Sequence, residues 1–157
     1  KLTFIFNSDL GFGEMYLNNI NVEKEIRTIE VSNFVSFVAE ISEVRSKLVE
    51  QQQEMGKNKG IVMDGRDIGT IVFPNADLKI FMTASPTTRA ERRFMELQKK
   101  GDKVSFDEVL KNVEERDYID THREDSPLVK AIDAIEFDNS DLSKQEQFQK
   151  VLQLVKI

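Results

Sequence analysis

The sequence has no cysteine and one histidine, His122. Disulfides and cysteine-based metal sites are excluded, and a histidine-rich metal centre with them. No metal held by protein side chains is expected. No apolar run approaches the length that spans a bilayer. The opening segment, Lys1 to Asn7, is too short and too mixed for a signal peptide. A cytoplasmic setting without a membrane partner is the expectation. No internal repeat or low-complexity stretch is present. No initiator methionine precedes Lys1, which reads as a cleaved product, a fragment or part of a longer protein. The net charge of −6 argues against a general nucleic-acid binder. A local arginine cluster can still hold a small anion, because a pocket responds to nearby charges rather than to the total.

What remains is the composition of an ordinary soluble domain. Apolar residues make up 39% and charged residues 32% of 157 positions, enough for one domain with a core. Leu2 to Phe6 alternates apolar and polar, as a half-buried strand does. Asn7-Ser8-Asp9, Gly11-Phe12-Gly13 and Asn18-Asn19 are turn chemistry around an extended Met15-Tyr16-Leu17, so a small antiparallel hairpin is expected. From Ile26 to Met55 there is no proline or glycine, and apolar residues recur at helical spacing. This predicts one long helix, or two with a break near Ser42.

Three short core strands are expected, around Ile61-Val62-Met63, Leu78 to Met82, and Ala134 to Phe137. Helices fall between and after them. Ser85-Pro86 starts one that Gly101 ends. Ser105 with Glu108 and Ser143 with Glu146 are capping boxes for two more, the first running to about Arg123. Alternating strands and helices after Gly60 predict an α/β fold with a parallel sheet.

Three constellations carry candidate chemistry. The first is Asp64-Gly65-Arg66-Asp67-Ile68-Gly69-Thr70, at the carboxyl end of an expected buried strand, where open α/β sheets bind ligands. Either flanking carboxylate could hold the Arg66 fork towards a phosphate. A plain turn with a surface ion pair fits the same residues. The second is Arg89, Arg92 and Arg93, followed by Arg116, Asp120 and Arg123 at helical spacing. Like charges one turn apart repel by about 0.2–0.5 kcal/mol, which an anion between them would relieve. A solvated face with an Arg116–Asp120 salt bridge is the competing account. The third is Arg27, Ser36 and Arg45, which composition alone does not single out. His122 lies in a charged stretch and reads as a surface residue rather than a general base.

Together these residues resemble the bacterial cytidylate kinase family. The matching segments are Glu25-Ile26-Arg27-Thr28, the run from Asp64 to Pro74, Glu115-Arg116-Asp117 with Asp120 and Arg123, and Ser126-Pro127-Leu128. The resemblance implies transfer of the ATP γ-phosphoryl group to CMP or dCMP with Mg2+, giving ADP and CDP or dCDP. It implies a P-loop nucleoside-monophosphate-kinase fold: a three-layer parallel sheet with helices on both faces, here without its N-terminal central strand, plus the hairpin insert. It also implies regions: 1–60 in CMP binding, 61–93 and 130–157 in the core, and 94–129 in a lid.

Site roles follow by position. The resemblance places Ser36, Arg45 and Asp67 around the cytosine base and Arg66 on the CMP phosphate. Arg116, Asp120 and Arg123 belong to the lid, near ribose, base and phosphates. Arg27 and Arg93 fall near phosphates, and Asp64 near magnesium and phosphates. Arg66, Arg116 and Arg123 are the catalytic candidates, stabilising charge on the transferred group.

A kinase of this fold needs G-x-x-x-x-G-K-[ST] to cradle ATP phosphates, and none of the seven glycines provides it. ATP and Mg2+ would then be held mainly by a segment outside these residues, in the same chain or another. The expectation is that the chain alone is inactive and does not fold alone as a stable kinase core, because two core strands would face each other across a gap. A non-catalytic CMP-binding or regulatory module is the alternative.

Overall fold

The computed structural model describes residues 1–155, the side chains of Ile29 and Ser36 excepted. It forms two compact units, Lys1–Ile41 and Ser42–Ile157.

The first unit opens with a three-stranded antiparallel sheet: β1 (Leu2–Asn7), β2 (Phe12–Leu17) and β3 (Ile20–Asn21). The expected hairpin is present with a third, two-residue strand. Leu2 pairs with Leu17 and Asn7 with Phe12, so Phe12 and Gly13 are strand rather than turn. The Asn7 side chain accepts from the backbone N–H groups of Asp9 (3.0 Å) and Leu10 (3.3 Å), tightening the first turn. Asn18 (φ 50°) and Asn19 (φ 68°) are both left-handed, as the tight β2–β3 turn requires. A single tight turn at Glu25–Arg27 then leads to α1 (Ile29–Ala39), capped where Thr28 Oγ1 accepts from Val31 N at 3.3 Å.

The second unit starts with α2 (Ser42–Gly56), so the long helical stretch is two helices broken at the expected place. Residues 61–63 are not a strand. No described strand lies beside them to complete a hydrogen-bond ladder, and Val62 is fully exposed at 101% of its reference area. Lys59 (φ 56°) and Gly60 (φ 62°) turn the chain just before the segment. An apolar run becomes a strand only where a neighbour takes up its backbone groups.

The other two core strands do form. β4 (Ile80–Thr83) and β5 (Ile135–Asp138) pair in parallel, Ile80 with Ile135 through Thr83 with Asp138. They meet directly, with no gap between them. The strand left without a partner is the one expected at 61–63. Among the described residues the parallel sheet therefore has two strands.

Helix α3 (Pro86–Lys100) follows β4. Ser85 Oγ accepts from Thr88 N at 3.1 Å, and Gly101 closes the helix at φ 86°. Helix α4 (Phe106–His122) has its full capping box: Ser105 N donates to Glu108 Oε2 (2.8 Å) and Glu108 N to Ser105 Oγ (3.3 Å). Ser143 and Glu146 repeat that exchange before α5 (Lys144–Val155). The apolar face expected on α5 is only partly covered: Val151 and Leu152 are half-buried, while Phe148 and Val155 are exposed. Helices α3 and α4 pack on each other around buried Ala90, Leu97 and Val109.

Candidate functional site

The loop from Asp64 to Pro74 is built around a wide helical turn at Ile68–Val72. Val72 N donates to Asp67 O (3.3 Å) and Phe73 N to Ile68 O (2.7 Å), each spanning five residues. Such turns occur often at functional sites. Two contacts hold the loop. Lys79 Nζ donates to the Pro74 carbonyl (2.5 Å) and to both Asp133 oxygens (2.8 Å each). Gly56, at the end of α2, lets the Phe73 ring approach to where a Cβ would sit 2.4 Å from it.

From this scaffold the loop offers two side chains to other elements. Asp67, buried, takes an ion pair from Arg45 on α2. Arg66 reaches α4, where its Nε donates to Asp120 Oδ2 at 2.7 Å. Sequence reasoning had placed a neighbouring carboxylate, Asp64 or Asp67, on Arg66. The partner is instead 54 positions away, because Asp67 is engaged by Arg45. Asp64 is exposed and makes no hydrogen bond or ion pair among the described residues.

Asp120 is the hinge of the arrangement. It is only 3% exposed, and its second oxygen accepts from Arg123 Nη1 at 3.2 Å. The ion pairs recorded for Asp120 run to Arg66 and Arg123, not along the helix to Arg116 as the solvated-face account requires. Arg123 sits where α4 ends, and its Nε donates to the Ser126 carbonyl at 2.9 Å. The chain then folds back, with Leu128 N donating to Asp120 O at 2.7 Å. Arg123 Nη2 is enclosed and has no hydrogen-bond partner among the described residues. An unsatisfied buried donor costs about 1–3 kcal/mol, more when charged.

The guanidinium groups act on one another. Burial, then the neighbouring Arg66, pushes Arg116 below the ordinary arginine value; Asp120 opposes this and Arg93 adds to it. Burial, then Arg45, lowers Arg123 in the same way, with Arg66 contributing and Asp120 and Asp67 opposing. Arginine stays protonated regardless, so the shifts record burial first and neighbouring cations second. Arg45, Arg66, Arg116 and Arg123 thus share one neighbourhood with Asp67 and Asp120.

Other candidates lie elsewhere. Arg93, on α3, pairs with Glu96 at 2.9 Å. Arg89 forks onto Asp117 (2.8 Å through Nη1) and donates from Nε to Ala84 O (3.0 Å). Arg92 donates to Asn139 Oδ1 (2.9 Å) and to the carbonyls of Asn139 (2.6 Å) and Ser140 (3.1 Å). Arg89 and Arg92 therefore tie α3 to its surroundings, and no anion is needed between Arg89 and Arg93. Arg27, in the first unit, pairs with Glu23 at 2.8 Å. Ser36 lies in α1, and its side chain falls outside the described residues. His122 is exposed, stacked on Tyr118.

The sequence marks Ser42 as a helix break and Ser126 as part of a matching segment, but points to no role at the site for either. Ser126 has a left-handed backbone, φ 53°, which no local pattern announces. Ser42 Oγ, at the start of α2, donates to Asp125 just past α4. No cluster of three or more His, Cys, Asp or Glu able to hold a metal exists among the described residues, and no described helix is long and apolar enough to cross a membrane.

Comparison with known proteins adds an independent line. The family described as Cytidylate kinase matches residues 1–157. The chain is 79% identical to a cytidylate kinase of Flavobacterium johnsoniae over 155 residues, which is 99% of this chain and 67% of that protein. It is 74% identical to the Flavobacterium psychrophilum cytidylate kinase, covering 99% of this chain and 69% of the relative. With the Bacteroides thetaiotaomicron cytidylate kinase the identity is 58%, over 94% of this chain and 64% of that protein. The chain thus spans about two thirds of the length of these relatives. On the strength of the full-length family match and these identities, the chain belongs to the cytidylate kinase family.

Proposed function

We propose that this chain carries the monophosphate side of a kinase that transfers the γ-phosphoryl group of ATP to CMP or dCMP. The observation that carries the reading is the arginine cluster built on Asp120. Four guanidiniums share one neighbourhood, and Arg123, which is buried, has an N–H group without a hydrogen-bond partner among the described residues. A phosphate oxygen satisfies that donor and relieves the mutual repulsion of the cations. Membership of the family supports taking that anion as the phosphate of a cytidine nucleotide.

In this reading a CMP phosphate oxygen attacks the γ-phosphorus of ATP. A P–O bond forms to CMP as the β–γ bridge breaks, and ADP leaves. Arg66, Arg116 and Arg123 stabilise charge on the transferred group, which is most of what such a reaction asks of a protein. Arg45 and Asp67, with Ser36, take the cytosine. Arg27 and Arg93 serve the phosphates. ATP enters as its Mg2+ complex, a substrate; Asp64 is the residue here for that end of the site. The lid is residues 94–129, the core 61–93 and 130–157, and the CMP-binding region 1–60, within the family's three-layer sheet and a cytoplasmic setting. Inactivity of the 157 residues alone rests only on the missing phosphate-loop motif. No observation favours the non-catalytic module.

The test is ADP formation from ATP and Mg2+ with CMP, dCMP, UMP or AMP as acceptor, using both the 157 residues and any longer polypeptide that contains them. Turnover with the two cytidine nucleotides and much less with the others supports the reading. Equal turnover of all four, or preference for AMP, overturns it.

A further inference from the structure

We infer that Ser126 is a positioning residue for the phosphate site, acting through its backbone rather than its hydroxyl. The inference deepens the proposed reading and rests on it. Ser126 has φ 53° and is followed by Pro127. Left-handed backbone is uncommon for any residue but glycine, and a following proline further restricts its neighbour towards extended conformations. Such a residue persists only where its surroundings over-determine it, and the clustering of such outliers at functional sites makes it worth asking what this one holds.

It holds Arg123. The turn aims the Ser126 carbonyl at Arg123 Nε, 2.9 Å away, while Asp120 takes Nη1 at 3.2 Å. Two of the three edges of the guanidinium are thereby fixed, and Nη2 is the one left over. The chain on either side is pinned: Asp125 accepts from Ser42 Oγ on α2, and Leu128 N donates to Asp120 O at 2.7 Å. None of the recorded hydrogen bonds within this strap uses the Ser126 hydroxyl. Without the left-handed turn the carbonyl swings away, Nε loses its acceptor, and Arg123 is free to rotate off the direction it presents to a phosphate.

A backbone role and a hydroxyl role predict different rankings. Serine and alanine carry the same Cβ and meet the same steric penalty at φ > 0, glycine meets none, and a β-branched side chain is a genuine outlier. CMP affinity is measured by calorimetric titration for the wild type, Ser126→Gly, Ser126→Ala and Ser126→Val. The expectation is Gly and Ala within about threefold of wild type and Val weaker by tenfold or more. A tenfold loss in both Gly and Ala, or no loss in Val, overturns the inference. If Val fails to fold, the Gly and Ala variants decide alone. A second readout needs no ligand. The Arg123 Nε–H resonance in the ligand-free protein should be protected from exchange in wild type, Gly and Ala and exposed in the valine variant. Unchanged protection in the valine variant, or lost protection in Ala, overturns the inference even if CMP binds. Absence of CMP binding by the wild type, with protection as expected, removes the phosphate reading and leaves the positioning of Arg123 standing.

Discussion

Replacing Asp120 by asparagine removes one negative charge from between two arginines and substitutes, at one position, an N–H donor for an acceptor. Asp120 is 3% exposed and bonds Arg66 and Arg123 at 2.7 and 3.2 Å. Removing one partner of a buried ion pair costs about 3–5 kcal/mol, because the other charge stays buried. The Arg66 side chain is 43% exposed, so solvent screens its share. Arg123 carries most of the loss, which puts the expectation at the lower end, about 3 kcal/mol. Urea unfolding measures it. With a slope of about 1–3 kcal/mol/M the midpoint should fall by roughly 1–3 M. A second comparison separates electrostatics from packing. With Asp120 neutral, the arginines hold less negative charge, so sodium phosphate at constant ionic strength should stabilise Asp120→Asn more than wild type. A loss under about 1 kcal/mol, or equal phosphate effects on both proteins, refutes the view that Asp120 holds the cluster together.

Leu97 is fully buried between α3 and α4. Leu97→Ala should destabilise by about 2–5 kcal/mol in the same urea assay. Acid should weaken the fold. Lys100, then Arg93, holds the Glu96 carboxyl below its usual range, and the Lys79 ammonium does so for Asp133. Carboxylates depressed in the folded state contribute stability above their unfolded value, near 4, and lose it as pH falls through the lower folded value. Thermal melts between pH 6 and pH 3 should therefore fall on the acid side, and Asp133→Asn should make that limb shallower.

Features written within a few residues were the ones open to sequence reasoning. The serine–glutamate exchanges at 105/108 and 143/146, the proline start at Pro86 and the glycine stop at Gly101 are local, and each formed where expected. So did the break at Ser42 and the Asn18-Asn19 turn. What was hidden depends on distant partners. Ile61-Val62-Met63 has the composition of a strand, but a strand needs a neighbour. Arg66 has two aspartates beside it and chooses a third 54 positions on, since Arg45 has claimed Asp67. Arg89 and Arg93 look like a pair around an anion until Asp117 and Glu96 are seen to satisfy them separately. That Arg66 belongs beside Asp120 and Arg123 was expected only through the family resemblance. Their geometry, and the strained turn at Ser126 that completes it, could come only from the fold.

The most direct test of the central claim compares CMP with cytidine by calorimetric titration of this chain. The two ligands share base and ribose and differ in the phosphate that the arginine cluster should hold. The account predicts that CMP binds at least tenfold more tightly than cytidine, and that Arg123→Met abolishes the difference. Equal affinities for the two ligands, or a CMP preference that survives Arg123→Met, would contradict it.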